Sequence, residues 1–408
     1  MNVKPEYDVL IAGGGMVGAS MALAIANLGL NIAVVEPTPV RSGSQPSYDE
    51  RVTAFSAGSR RILEQMALWP ALAGHATPIE HIHVSERGRF GFSRLHAADE
   101  GVEALGYIIP NRVFGMALHA AIGERGGISM LCPARVEDVT IEPAWAEVRL
   151  ADDEGETRTR AKLLIVADGA RSPLRERLGI HAAVHDYRQT AIIANVTPSE
   201  HHGYWAYERF TSQGPVAMLP MSEGRVGAVW TVASEAADTA VALDDERFLH
   251  NLQALFGWRL GRFERAGKRF AYPLQMLQAE RQIGPRAAII GNAAHSLHPV
   301  AGQSFNLSLR DVATLAEVVG DALSRGEDPG AIAALQRYAA RRNRDQRLTV
   351  GLTDGLMRLF APHFRPLAHA RNLGLVGFDL LPGAKRPFAR QTMGLAGRVP
   401  RVPTGKAR

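Results

Sequence analysis

The six residues Gly13-Gly14-Gly15-Met16-Val17-Gly18 constrain this chain more than any others. They satisfy G-x-G-x-x-G, and their flanks turn a weak pattern into a specific one. Before them, Asp8 to Ala12 is an apolar run short enough for a buried parallel strand. After them, Ala19 to Leu28 is rich in Ala and Leu and stops at Gly29, as a helix does. Asn31 to Val35 reads as a second strand, with Glu36 at its end. This is one βαβ unit of a doubly wound sheet. Gly13 permits the tight turn, Gly15 lets backbone approach a pyrophosphate, and Gly18 lets helix pack on strand. The helix N-terminus offers N–H donors and partial positive charge to phosphates. Glu36 would accept hydrogen bonds from ribose hydroxyls and repel a 2′-phosphate. The unit therefore predicts a dinucleotide, FAD or NAD, but not NADP.

The chain does not continue in that style. From Thr190 to Val232 apolar and polar residues alternate, with aromatics at Tyr204, Trp205, Tyr207, Phe210 and Trp230. That is the pattern of antiparallel sheet covered on one face. Ala287 to Ile290 returns to the buried parallel type, and helical patterns follow at 306–323 and 331–347. The nucleotide domain is therefore expected to be discontinuous, with a mostly antiparallel domain inserted into it. A length of 408 residues agrees with more than one folding unit.

Cys132 is the only cysteine, which excludes an internal disulfide and a cysteine-based zinc or iron–sulfur site; it is expected to be a small buried hydrophobe. Met1 to Tyr7 is polar, so no leader is expected. The most apolar long stretch, Leu356 to Leu381, is broken by Arg358, Pro362, Arg365, Pro366, Arg371 and Asp379, so no membrane span is expected. The net charge of +5 is concentrated late, from Arg341 to Arg347 and from Lys385 to Arg408. These cations suit a solvated face or an anionic membrane surface; without interleaved aromatics they do not suggest nucleic acid.

Two further segments repeat the strand-to-turn logic. Leu163 to Val166 would deliver Asp168 and Gly169 to a strand end, ahead of a Ser/Pro turn into a helix. Ile289 and Ile290 lead into Gly291-Asn292-Ala293-Ala294-His295-Ser296-Leu297-His298-Pro299-Val300-Ala301-Gly302-Gln303-Ser304-Phe305-Asn306. There a second helix N-terminus could face a negatively charged ring system. His295 and His298 lack a nearby carboxylate at ligand spacing, so no metal site is expected.

These three motifs, in this order, resemble those of the flavoprotein aromatic hydroxylases of the p-hydroxybenzoate hydroxylase type. The resemblance implies a discontinuous Rossmann-type α/β FAD-binding domain at 1–75, 105–180 and 275–345. It implies a mostly antiparallel substrate domain at 76–104 and 181–274, a helical C-terminal region at 346–398, and a disordered tail at 399–408. By position, noncovalent FAD would be held by Gly13, Gly15, Gly18, Glu36, Asp168, Gly169, Gly291, Asn292, Pro299, Gly302, Gln303, Ser304 and Asn306. Arg51 and Arg112 stand where the family places arginines near the pyrophosphate and adenine. Asn292 replaces a usual Asp, and Ser304 a usual Gly whose substitution could crowd the flavin or force another backbone angle.

Within that group the chain is most similar to the ubiquinone-biosynthesis hydroxylases, through Tyr207-Glu208-Arg209-Phe210-Thr211, Gly214 to Pro220, Phe256 to Gly261 and Gly267 to Leu274. The similarity implies an oxidoreductase that uses transient NAD(P)H and O₂ to hydroxylate a polyprenylated phenol. His298 and Tyr204 are the candidates for a catalytic group. A non-catalytic flavin-binding subunit is the alternative that Asn292 and Ser304 would favour. The expected location is cytoplasmic, with peripheral contact at the inner face of the plasma membrane, other ubiquinone-biosynthesis proteins, or a lipid-binding partner to shield the tail. A leucine stripe from Leu348 through Leu352, Leu356 and Leu359 to Phe360 either packs inward or provides that contact.

Overall fold

A computed structural model describes residues 6–39, 51–360 and 368–404. Parallel strands in the spatial order Ala287–Ile289, Gly155–Val166, Tyr7–Ala12, Ile32–Val35 and Ile128–Leu131 form the centre of an eight-stranded sheet. Successive residues of a strand point to opposite faces, and both faces here are covered. Val9 and Ile11 join a core with Met21, Phe114, Leu118, Val312 and Leu315, carried by helices Met16–Ile25, Asn111–Gly123 and Gln303–Ser324. Leu10 and Ala12 join a second core with Val148, Leu150, Leu164 and Leu174. The first helix begins at Met16, earlier than the Ala-rich run suggests, and its last turn ends at Gly29 with φ 70°.

The second sheet has nine strands. The 17-residue strand Ala182–Pro198 pairs with Val226–Ala233, Phe263–Ala266 and Phe270–Ala279. Beyond Val226–Ala233 lie Gly214–Pro220, Trp205–Thr211, and the hairpin His81–Glu86 and Phe92–His96. One face packs Ile192, Val216, Met218 and Trp230 against Phe248, Leu252 and Phe256 of helix Asp245–Phe256. From the opposite face, Phe210 packs on Val300 and Phe360. The expected border after residue 274 falls inside Phe270–Ala279, because ladder pairing with Ala182–Pro198 continues to Ala279. His295–Ser296, from the third motif, adds the last strand. A three-stranded sheet of Val52–Ser56, Gly106–Pro110 and Thr77–Ile79 lies beside both.

The architecture is thus the expected one: a doubly wound nucleotide-binding sheet, a mostly antiparallel inserted domain, and C-terminal helices Ile332–Leu359, Ala368–Leu380 and Pro382–Thr392. Three details differ. The helix expected at 331–347 continues to Leu359, because Thr349 and Thr353 are still buried against the molecule. Cys132 is half-buried, since it follows the end of strand Ile128–Leu131. The tail expected to be disordered from Val399 is anchored at its start. Val402 is buried, and its N–H donates to Gln65 Oε1 at 2.8 Å; residues 405–408 lie outside the described residues. No helix among the described residues is long and apolar enough to cross a membrane.

Candidate active site

The register of the parallel sheet places the motifs. Ala12 pairs with both Val166 and Val35, and Val166 pairs with Ile289. Those four residues form one row, and the chain leaves it at Gly13, Ala167, Glu36 and Ile290. Four segments separated by up to 277 positions of sequence therefore open at one strand-end edge, where open α/β sheets bind ligands.

The glycines fit this convergence closely. A Cβ at Gly13, where φ is +103°, would lie 2.4 Å from the Ala167 carbonyl oxygen, so the first turn touches the second motif. A Cβ at Gly18 would lie 1.8 Å from the Gly13 oxygen, which is the helix-on-strand approach expected of that position. A Cβ at Gly291 would meet Val17 at 3.0 Å, so the third motif touches the first. Gly302, at φ 59°, precedes helix Gln303–Ser324, and a Cβ there would meet Ala54. Gly15 has an extended backbone and caps the first helix.

Glu36 is buried. Its Oε2 accepts the Gly14 N–H at 2.7 Å and its Oε1 accepts the Thr38 N–H at 2.9 Å, which fixes the carboxylate beside the glycine turn. His119, from helix Asn111–Gly123, hydrogen-bonds the Gly14 backbone; burial lowers its pKa despite that bond. Its sequence context is an ordinary helix, so nothing there signals this contact. Arg51 and Arg112 lie close in the fold, because the Asn111 N–H donates to the Arg51 carbonyl at 2.9 Å. The Arg51 guanidinium sits 4.4 Å from the Tyr272 ring centre; Arg112 is exposed.

Asp168 is largely buried. Burial raises its pKa, while the Ser172 hydroxyl and the Leu174 N–H oppose the rise. Buried Arg175, which the sequence presents only as a turn residue, donates to the carbonyls of Ala170 at 3.2 Å and Ala293 at 3.0 Å. It thereby joins the second motif to the third. A cavity of about 270 Å³ opens beside this bridge, lined by Arg171, Arg175, Gln275 and Ser296 among others.

The third motif divides into exposed and clamped positions. Asn292 and Pro299 are exposed. Ser304 lies inside a regular helix and needs no unusual backbone angle, and its hydroxyl accepts the Leu297 N–H at 3.4 Å. Asn306 and Gln303, expected as cofactor contacts, turn their side chains to protein. Asn306 Nδ2 donates to Ala54 O at 2.8 Å and Gly302 O at 2.6 Å. Its Oδ1 accepts from Ser56 N at 2.8 Å and Ser59 Oγ at 2.7 Å, which saturates the amide. Gln303 Nε2 donates to the Thr392 carbonyl at 3.1 Å.

Below the motif lies a buried charge network. His295 Nε2 and Arg342 Nε both bond the Asp311 carboxylate, and Gln346 Nε2 donates to it at 2.8 Å. Arg310 and Arg342 each reach Asp345 at 2.7 Å. Burial opposes ionisation of Asp311, but Arg342 and His295 overcome it and hold its pKa at about 2. His298 is also buried, and burial lowers its pKa to about 4. Its Nδ1 accepts the Val300 N–H at 3.2 Å, which leaves the proton on Nε2. The Tyr187 ring stands edge-on to it at 5.1 Å. Tyr204 lies elsewhere: its ring packs on His201 and His202, ahead of strand Trp205–Thr211, whereas Phe210 at the other end of that strand meets Val300. No group of three or more His, Cys, Asp or Glu side chains among the described residues could hold a metal ion.

Taken together, the tight glycine turn, a fixed acid at the second strand end, a half-buried Asp at the third and a helix N-terminus after Gly302 fit FAD. The FAD binding domain family matches residues 6–350. Fold and site define an FAD-dependent aromatic hydroxylase, and the p-nitrophenol 4-monooxygenase PnpA of Pseudomonas putida shares the fold with a TM-score of 0.80 at 17% identity, covering 96% of this chain and 98% of that one. Ubiquinone hydroxylase UbiL of Rhodospirillum rubrum is 38% identical over 97% of this chain and 91% of its own length. The 3-demethoxyubiquinol 3-hydroxylase of Escherichia coli is 31% identical over 95% of this chain and 98% of its own. The chain belongs to the family of FAD-dependent ubiquinone-biosynthesis hydroxylases.

Proposed function

We propose that this enzyme hydroxylates 2-polyprenyl-6-methoxyphenol to 2-polyprenyl-6-methoxy-1,4-benzoquinol, the activity of a 2-octaprenyl-6-methoxyphenol hydroxylase, using O₂ and a reduced nicotinamide. The observation that carries the reading is the single row of strand ends formed by Ile289, Val166, Ala12 and Val35. In this reading Gly13, Gly15, Gly18 and Glu36, beside that row, hold the ADP half of FAD together with Arg51 and Arg112. Asp168, Gly169, Gly291, Asn292, Pro299, Gly302 and Ser304 are assigned to the remainder. Gln303 and Asn306 act by holding the loop. Bound FAD supplies the redox chemistry, taking reducing equivalents from NAD(P)H and delivering an oxygen atom from O₂ to the ring.

The protein orients the phenol and excludes water. His298 is neutral at working pH, and its Nε2–H suits a hydrogen bond to the phenol oxygen. Accepting the phenol proton at Nδ1 would cost the bond from Val300, so His298 is assigned to orientation. Exposed Arg171, in the cavity beside the Arg175 bridge, suits a phosphate of a transiently docked nicotinamide. The enzyme works from the cytoplasm at the inner membrane face, alone or with other ubiquinone-biosynthesis proteins.

The relative named for 3-demethoxyubiquinol hydroxylation supports a second reading, in which a sister ring position is the target. The quinone precursor that accumulates when the protein is absent separates the two. Accumulation of 2-polyprenyl-6-methoxyphenol supports the first; a precursor already hydroxylated at that carbon sinks it. Flavin absorbance without substrate-dependent oxygen consumption would instead mark a non-catalytic subunit.

A further inference from the structure

Helix Ala368–Leu380 is inverted relative to an ordinary surface helix. Its charged side chains face the protein. Arg371, whose side chain is only 6% exposed, pairs with Glu86 and donates to the Leu359 carbonyl. Asp379 accepts the Arg94 N–H at 2.8 Å and pairs with Lys385 at 3.2 Å. Asn372 is buried, and its Oδ1 accepts the Gly91 N–H at 3.0 Å. The exposed positions described on the helix are Ala370, Leu373, Gly374 and Leu380, all apolar or glycine. Leu373 is 63% exposed, Leu380 72%, and Leu381, which follows, 60%. Single exposed leucines need no explanation; a helix with its charges turned in and its leucines turned out does.

The hairpin that Asn372 grips enlarges the same edge. Arg87, Gly88, Arg89 and Phe90 are all exposed at its tip, Phe90 by 64%. Arg87 and Arg89 form no ion pair among the described residues, and Arg386 lies exposed just beyond the helix. Leu356 and Phe360 pack inward with Phe210, while Leu348 and Leu359 are each 48% exposed, so the stripe expected from Leu348 to Phe360 divides between the two faces.

We propose that the Leu373–Leu380–Leu381 face and the Arg87–Phe90 tip form one docking surface for an anionic lipid bilayer. Leucine and phenylalanine side chains would enter the acyl boundary, and the rim of guanidiniums would meet anionic headgroups. A second copy of this chain fits less well, because a two-fold contact would set the same cations against each other. The surface also leads inward: Arg371 lies 5.2 Å from the Phe360 ring centre, and Phe360 stacks on Phe210 of the substrate sheet. The proposal rests on the polyprenylated-substrate reading for its purpose, though not for its geometry.

The full-length protein should float with vesicles of phosphatidylcholine and phosphatidylglycerol at low salt. High salt, or phosphatidylcholine alone, should weaken binding. Replacing both Leu373→Glu and Leu380→Glu should lower the partition coefficient at least tenfold with an unchanged thermal melt. Arg87→Gln and Arg89→Gln should each lower it about fivefold and flatten the salt dependence. The proposal is overturned if the parent stays unbound with anionic vesicles at low salt, or if the leucine variant floats as well as the parent. It is also overturned if the leucines prove to hold a dimer that the variant dissolves. Hydroxylation of a tail-less methoxyphenol, followed in parallel, separates the two claims. Activity without flotation removes the docking surface alone, and flotation without hydroxylation of any phenol removes the proposed function alone.

Discussion

Replacing Asp311 with Asn tests the charge network beneath the third motif. Asp311 is fully buried and is bonded by His295, Arg342 and Gln346. Without its charge, buried Arg310 and Arg342 share the single carboxylate of Asp345. Breaking a buried pair by removing one partner costs roughly 3–5 kcal/mol. For a chain of this size that is a fall in Tm of about 4–6 °C. The effect has a pH signature. The carboxyl pKa of about 2 lies below the ordinary carboxylate value. A depressed acid stabilises the fold above its unfolded pKa, and the contribution disappears as pH falls through the folded value. The difference is worth roughly 2–3 kcal/mol, so the gap between parent and Asp311→Asn should be full at pH 7 and shrink between pH 4 and 2. Adding Arg342→Met should recover part of the loss, because the orphaned cation is removed. Calorimetry of the four proteins at pH 7 and pH 3 decides it. An equal gap at both pH values, or additivity of the two substitutions within about 0.5 kcal/mol, would refute the reasoning.

Gly18→Val should abolish FAD retention, read as loss of bound-flavin absorbance, because its Cβ would fall 1.8 Å from the Gly13 oxygen; Gly74→Ala, with nothing within 4 Å, should leave it intact. His298→Asn should flatten the acid limb of the stability profile between pH 6.5 and 4. The folded pKa of about 4 means that the unfolded chain takes up the His298 proton first as pH falls, so the parent loses more stability there than the variant, which keeps only the losses from histidines such as His83. Denaturant midpoints that shift in parallel for both proteins across that range would show that His298 does not titrate as described.

What the sequence made legible was local. The runs Asp8 to Ala12, Leu163 to Val166 and Ala287 to Ile290 are too short and too apolar for amphipathic helices, and each becomes a buried parallel strand. Their common row was not legible, because register is decided by pairing between distant segments. Arg175 shows why site residues were missed. It resembles any arginine in a Ser/Pro turn until the Ala293 carbonyl, 118 positions later, comes within 3.0 Å. Asp311 looked like the interior of a helix for the same reason. Asn306 shows the converse: next to a cofactor motif, its amide was not legible as a structural clamp, yet Ala54, Gly302, Ser56 and Ser59 use its whole hydrogen-bonding capacity. Ser304 drew concern as a replaced glycine, but a residue in the first turn of a right-handed helix has no need of glycine's freedom.

The two-residue strand His295–Ser296 ties the molecule's halves together mechanically. It belongs to the loop that follows Gly291, yet it hydrogen-bonds to Leu277 and Gln278 of the substrate sheet. Beneath it, Asp311 anchors His295 to the long C-terminal helices. A hinge motion that swung the inserted domain away as a rigid block would have to peel this ladder apart and drag a buried ionic anchor with it. Opening is therefore confined to elements outside the shared strand. Heat or denaturant should dismantle nucleotide sheet and inserted sheet in one cooperative transition, even though the chain writes them as interleaved pieces.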